Sequence, residues 1–539
     1  MTRRPQYCQG RHAGVLAPLF ACASTKSWGI GEIGDIAPMA QWLQSAALDV
    51  WLMLPVNEMA SGQSSPYSAL SAMAIDPIYI SVGAVPEFQA MGGERALTPD
   101  ERQRLRRVRG APRIAYADVR ALKDAVLRRV FDVNRSSGGE RREAFQAFVE
   151  RERWWLDDYA LFRALHERHA GQPWWEWDAA LQAREPEALD RVRRELADDI
   201  AYYAFLQWLA DAQWQDARRD AGGVGLFGDL PFMVGADSAD VWAHADLFAR
   251  DLSVGTPPDA FSATGQDWGL PAYRWDRLQA TGFAWLRQRG RRAASLFDGF
   301  RVDHVIGFFR TYVRAADGHA FFTPEHEHDQ IRLGEHVLRI FQETGACVVA
   351  EDLGTVPDYL RDALARLAIP GYCVLRWERR WHDEGHPFRS PSAYPVVSLA
   401  TTGTHDTEPL AVWWDGADEH ERRLVLSALN ELGERNELSE LGEQGHGIDP
   451  HTPFGPDVRD RLLQALFASA SNLLVLPVQD LFGWPDRINV PATTGEENWT
   501  YRLPWPVDRW DRRDEARERA RTLQAWAAGT DREIVRQEA

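Results

Sequence analysis

Eight short apolar runs punctuate the chain. They are GVLAPLF (14–20), DVWLMLPV (49–56), GLFGDLPFMV (225–234), FDGFRVDHV (297–305), CVVAEDL (347–353), GYCVLRW (371–377), VVSLATTGTHD (396–406) and NLLVLPVQDL (472–481). Hydrophobicity within them is continuous rather than alternating, the pattern of parallel strands covered on both faces. Segments with helical spacing lie between many of them, among them IAPMAQWLQSAA, EHVLRIFQET and VRDRLLQALFASA. Eight buried strands with helical crossovers predict an α/β chain folded as a (β/α)8 barrel, one catalytic unit over residues 1–539. Two stretches interrupt the alternation. Residues 97–220, rich in Arg, Glu, Ala and Trp at helical spacing, predict an inserted, mainly helical subdomain. Residues 235–285, rich in Gly, Pro, Asp and Trp, predict an inserted loop-rich lid region on the barrel's C-terminal face.

Many runs end alike, with apolar residues giving way to polar ones. RVDH, AEDLG and TGTHD each finish an apolar stretch with an acid. In a barrel such positions face the C-terminal mouth, where the active sites of this architecture lie. Arg301 and Asp303 are two apart, so on a strand their side chains point the same way. An opposite charge at that distance keeps a buried carboxylate ionised. Glu351 follows the apolar CVVA, a setting that raises a carboxyl's pKa and leaves it protonated near neutrality. An ionised carboxylate beside a protonated one is what a retaining glycosidase uses, one attacking and the other giving a proton. Asp406, preceded by His405, is a third acid directed at the same mouth.

Composition narrows the partners. A formal net charge of -18 repels nucleic-acid phosphates and anionic lipid, and suits a neutral substrate. No run approaches the length of a membrane-spanning helix. The 23 tryptophans supply broad apolar faces of the kind that stack on sugar rings, although core packing accounts for most of them. Cys8, Cys22, Cys347 and Cys373 lie far apart and read as buried thiols in a reducing cytoplasm. The N-terminal stretch imitates an export signal weakly, but its apolar run is short and directly follows Gln9, Arg11 and His12, so a strand is the better reading. Neither a phosphate-binding glycine loop nor a nucleophile elbow occurs. PEHEHDQ (324–330) reads as a solvated connection rather than a metal site.

An ordered set of segments carries a family resemblance. SWGIGEIGD, SSPYSALSAMAIDP, GDLPFMVGADSADVWAH, TPPDAFSATGQDWGLPAYRW, DGFRVDHVIGFFR, VVAEDLG, TTGTHDT and INVPATTGEENWTYRL span nearly the whole chain. Together they resemble the 4-α-glucanotransferases of the amylomaltase, or disproportionating-enzyme, type, related to the α-amylase clan. The resemblance implies that Asp303 is the nucleophile, Glu351 the general acid/base and Asp406 the transition-state stabiliser. It implies that Arg301, His304 and His405 bind the nucleophile or the sugar at the cleavage point. Ser65, Tyr67, Asp229 and Asn489 would line that sugar's subsite, and Asp259, Phe261, Gln266 and Trp268 would belong to a lid over the acceptor side. No metal or cofactor is implied. The partners would be α-1,4-glucans, with glucose as an acceptor. Ala260 stands where many members carry a tyrosine, and Gly62 where some carry one at a second glucan site. These departures bear on acceptor preference and large-ring formation, not on bond cleavage.

Overall fold

The structure, a computed structural model, describes residues 6–60, 62–136, 138–258, 265–434, 448–491, 493 and 495–532 of the chain. All eight apolar runs form strands, and the eight strands share one parallel sheet. In chain order the barrel strands are β1 (His12–Leu16), β2 (Val50–Leu52), β3 (Gly225–Leu230), β6 (Gly299–Val302), β9 (Cys347–Ala350), β10 (Gly371–Val374), β11 (Ser398–Thr401) and β12 (Leu473–Pro477). The sheet runs β10-β11-β12-β1-β2-β3-β6-β9. The Ala350 amide donates to the Pro370 carbonyl at 2.8 Å, tying β9 to the residue before β10 and joining the sheet's two ends. The architecture is therefore a (β/α)8 barrel.

Each strand is shorter than its apolar run, and the sequence gives the reasons. Pro231 lacks the N–H that would continue β3, and β1 gives way to a 3-10 turn over Leu19–Ala21 behind Pro18. Beyond β6 the run turns into the short helix Ile306–Phe309, and beyond β12 into the helix Val478–Phe482. The strand interiors are almost wholly buried, as continuous apolarity requires.

Helices at Pro99–Gly110, Tyr116–Ser136, Glu140–Arg168, Pro186–Glu195 and Ala197–Asp220 fill the long gap between β2 and β3. Ion pairs to three buried acids tie them to the barrel's own segments. Lys123 meets Glu32 at 2.7 Å, Arg120 meets Asp76 at 2.6 Å, and Arg163 meets Glu58 at 3.0 Å. Thr98 and Glu101 form a reciprocal capping box that fixes where the first of these helices starts.

Two sequence expectations are corrected. Residues 235–285 hold more than loops: β4 (Phe248–Thr256) and β5 (Gln266–Tyr273) pair antiparallel, and with β7 (Thr311–Ala315) and β8 (Ala320–Thr323) they make a four-stranded sheet in the order β5-β4-β7-β8. The density of Gly, Pro and Asp there marks turns and bulges between strands. Nor are the cysteines all thiols. Cys8 and Cys347 form a disulfide across 339 residues of sequence, with their Cα atoms 5.7 Å apart, whereas Cys22 and Cys373 are free and buried. Spacing along the chain gave no sign of this pairing, because the barrel itself brings the N-terminal turn under the start of β9. Among the described residues no helix is long and apolar enough to cross a membrane.

Candidate functional site

The register of three neighbouring strands builds the centre of the site. Asp229 on β3 pairs with Arg301 on β6, and Val302 pairs with Ala350 on β9. One residue beyond those strands, the Asp303 amide still donates to the Leu230 carbonyl and the Glu351 amide to the Val302 carbonyl, both at 3.0 Å. Parallel pairing thus holds the two acids at adjacent strand ends.

The Arg301 guanidinium lies between them. Its Nη1 donates to both oxygens of Asp229 at 2.8 and 2.7 Å and sits 2.9 Å from Asp303 Oδ1. Its Nη2 lies 3.8 Å from Glu351 Oε2. The opening expectation for Arg301 and Asp303 holds: they share a face and touch. Asp229 is the further anchor, and Tyr67 donates its hydroxyl proton to Asp229 Oδ2 at 2.7 Å. Burial pushes Asp229 upward against the pull of Arg301.

Glu351 is raised from 4.5 to about 7. Burial is the main cause; Arg301 opposes it, and Asp303 reinforces it. The backbone amides of His304 and Leu353 donate to its two oxygens at 2.7 and 3.0 Å. The first of these contacts depends on local strain. His304 has a φ of 44°, the left-handed region that non-glycine residues avoid. Its imidazole is pulled down to about 4, chiefly by burial, and is neutral at pH 7. The Trp268 ring stands edge-on to it, with centroids 4.9 Å apart.

Asp406 lies five residues past β11, brought round by the turn at Thr404. Asn489 donates to its Oδ1 at 2.6 Å, and His405 Nε2 is 3.3 Å from its Oδ2. Although burial works the other way, His405 and Asn489 hold the Asp406 carboxyl well below the usual carboxylate range, and Asp406 in turn raises His405. Tyr67 joins the two halves: its hydroxyl also lies 3.1 Å from His405 Nε2, and the two rings stack. One continuous chain of contacts therefore runs Asp406, His405, Tyr67, Asp229, Arg301, Asp303.

The remaining sequence-derived residues fall into three groups. Gln266 accepts from the Trp268 indole at 3.2 Å, which puts both at the wall beside His304. Among the described residues Ser65 bonds to none of the acids; its Oγ accepts from the Tyr67 amide at 3.4 Å and so shapes the loop that presents Tyr67. Asp259 and Phe261, with Ala260, lie outside the described residues. Two residues of this site escaped the sequence reading. Trp499, with a φ of 64°, packs against both Tyr67 and His405 at 5.8 Å, and Arg487 donates to the Asp406 carbonyl at 2.8 Å. Trp499 stands within the quoted INVPATTGEENWTYRL segment, where an aromatic among polar residues was the available signal.

Around Asp303, which Arg301 anchors, the arrangement offers a raised Glu351 and a depressed Asp406 at the mouth of a barrel, with Asp229 raised behind Arg301. A family model described as 4-alpha-glucanotransferase matches residues 17–508. The chain belongs to that family. Among curated 4-alpha-glucanotransferases, that of Thermus thermophilus is 33% identical over 88% of this chain and 92% of its own. The enzyme of Chlamydia muridarum is 30% identical over 91% of this chain and 90% of its own. The crystal structure of amylomaltase from Corynebacterium glutamicum superposes with a TM-score of 0.81 at 25% identity, covering 96% of this chain and 77% of that one. Amylomaltase from Streptococcus agalactiae, solved in complex with acarbose, shares the fold at a TM-score of 0.78, covering 97% of this chain and all of that one. As a 4-alpha-glucanotransferase family member, the chain places every described acid named from its sequence within the one network.

Proposed function

We propose that the protein is a retaining 4-α-glucanotransferase. It moves segments of an α-1,4-glucan from a donor maltooligosaccharide or starch-like chain to the 4-hydroxyl of an acceptor glucan or of glucose. The observation that carries this reading is a single buried guanidinium, Arg301, touching Asp303 and flanking Glu351, whose carboxyl is raised to about 7.

In the proposed reaction an Asp303 oxygen bonds to the anomeric carbon as the glycosidic C–O bond breaks. Glu351 gives its proton to the departing oxygen. The released glucan end leaves, and an acceptor 4-hydroxyl attacks the same carbon. Glu351 takes the hydroxyl proton, Asp303 departs as carboxylate, and the new bond has the configuration of the old. Asp406, held ionised by His405 and Asn489, faces the positive charge that develops on the ring. Neutral His304 and Asn489 supply hydrogen bonds to hydroxyls without adding charge. Trp268 and Gln266 on the wall beside His304 help keep water from competing with the acceptor.

Incubation with maltotriose tests the reading. A ladder of longer maltooligosaccharides is expected; glucose and maltose alone would make the protein a hydrolase of the same clan. Asp303→Asn is expected to abolish turnover. Undiminished turnover by that variant would remove Asp303 from its role, and a wild-type protein that bound maltotriose without any turnover would be a glucan-binding barrel. A cytoplasmic location belongs to the same proposal. The free thiols Cys22 and Cys373 are consistent with it, whereas the Cys8–Cys347 bridge is not what a reducing compartment favours.

A further inference from the structure

Beside the acid network, the antiparallel sheet carries a second opening. A groove of about 520 Å3 lies where the sheet meets the helical insertion, lined by Trp175, Arg250, Asp251, Ser253, Asp267 and Pro271 among others. Its volume falls in the range of small-molecule sites. Trp175 presents 40% of its surface to solvent, which few tryptophans of this chain do.

That indole stands on a rigid base. Its neighbour Trp174 is buried, donates its ring N–H to the Ala236 carbonyl at 2.9 Å, and packs edge-on against Trp175 with centroids 5.9 Å apart. The Arg250 guanidinium covers Trp174 at 4.5 Å. The exposed ring is thus pre-positioned, so a ligand stacking on it would lose little side-chain freedom.

Two polar groups of the lining stand open to solvent. Arg250 and Asp251 are both exposed, the Arg250 guanidinium resting on Trp174. Asp267 accepts from Ser253 and, at 2.9 Å, from the Gly269 amide, which fixes its carboxylate at the groove wall. Strand β5 also connects the groove to the acids. Trp268 contacts His304, while its neighbours Asp267 and Gly269 line the groove. The two openings therefore share one strand as a partition.

The chemistry selects a neutral polyol. Two carboxylates, Asp251 and Asp267, against two guanidiniums, Arg250 and Arg314, leave the lining without net charge, which suits a neutral ligand better than a phosphate in a protein of net charge -18. Carboxylate acceptors and guanidinium donors beside an exposed indole match the hydroxyls and the C–H face of a sugar ring. We propose that the groove is a second glucan-binding site, which holds a distant stretch of the same α-1,4-glucan while another part reacts. This rests on the proposed function for the identity of the sugar.

Calorimetric titration of maltoheptaose into the Asp303→Asn protein tests it. Two classes of site are expected, and adding Trp175→Ala removes one of them; Trp175→Phe, which keeps a ring, weakens that class without removing it. In the active protein Trp175→Ala is expected to raise KM for amylose about tenfold, the loss of one ring-face contact, and to leave maltotriose kinetics unchanged. Arg250→Gln, a second surface variant, should weaken the same class. The same number of site classes with and without the Trp175 ring would overturn the proposal. Failure of the wild-type protein to elongate maltotriose would instead overturn the transferase reading, and the titration would still report on the groove.

Discussion

Glu351→Gln separates electrostatics from geometry at the proposed acid. The wild-type carboxyl sits at about 7 in the folded protein against 4.5 as a free side chain, and only 12% of it is exposed. That difference corresponds to roughly 3 kcal/mol at 1.36 kcal/mol per pKa unit. The folded chain holds the proton more tightly than the unfolded one. Below pH 4.5 both states are protonated and the stabilisation from tight proton binding is fully present. It is lost as pH rises from 4.5 through 7, because the unfolded chain ionises first, and above 7 none of it is left. Glutamine does not titrate. It does lose geometry: the His304 and Leu353 amides both donate to Glu351, and the amide side chain can accept from only one of them. An unsatisfied donor costs about 1–2 kcal/mol at every pH. The variant should therefore be less stable than wild type by about that amount at pH 4.5 and more stable by about 1–2 kcal/mol at pH 8, with the crossover between. Urea unfolding of both proteins at pH 4.5, 6, 7 and 8, followed by tryptophan fluorescence, measures it. In parallel, wild-type kcat/KM on maltotriose should fall about tenfold per pH unit above 7, and the variant should lose about 10²–10⁴-fold in rate. A stability difference between the two proteins that does not change with pH would refute the account.

Three further outcomes are expected. Asn489→Ala removes the 2.6 Å donor to Asp406 and should lower kcat by about 10–100-fold, since hydrogen bonds to charged groups are worth about 1.5–3 kcal/mol, with the unfolding midpoint little changed. Tyr67→Phe takes from Asp229 the hydroxyl that shares it with Arg301; activity should drop about tenfold or more through misplacement of Arg301, and a variant with wild-type kcat would dissolve the link between the two halves of the site. Arg532 is fully buried and donates to the carbonyls of His12, Phe467, Ser469, Asn472 and Ser471; Arg532→Met should lower stability by about 3–5 kcal/mol in thermal or urea unfolding while kcat per folded molecule stays the same.

How far the sequence reaches is visible at particular residues. All eight barrel strands were legible, because a strand buried on both faces is apolar at nearly every position, and that signal is local. The pair Arg301 and Asp303 was legible for the same reason: two-residue spacing alone fixes a shared side. The raised Glu351 followed from the apolar CVVA before it. Strand ends were less legible, since apolarity continues from β12 into the helix Val478–Phe482 and from β6 into Ile306–Phe309.

Other features exist only once the barrel closes. Asp229 meets Arg301 across 72 residues, Tyr67 meets His405 across 338, and Cys8 meets Cys347 across 339. The antiparallel sheet over 248–323 was hidden because its strands are interrupted by bulges and half exposed, which breaks their period. The chain's own pattern thus determined which segments are strands and which acids sit at their ends, since both depend on neighbours a few residues apart. Which acid keeps its proton, which is held ionised and which ring covers them was decided by the tertiary structure, because desolvation and charge pairing depend on distances in space that no local spacing records.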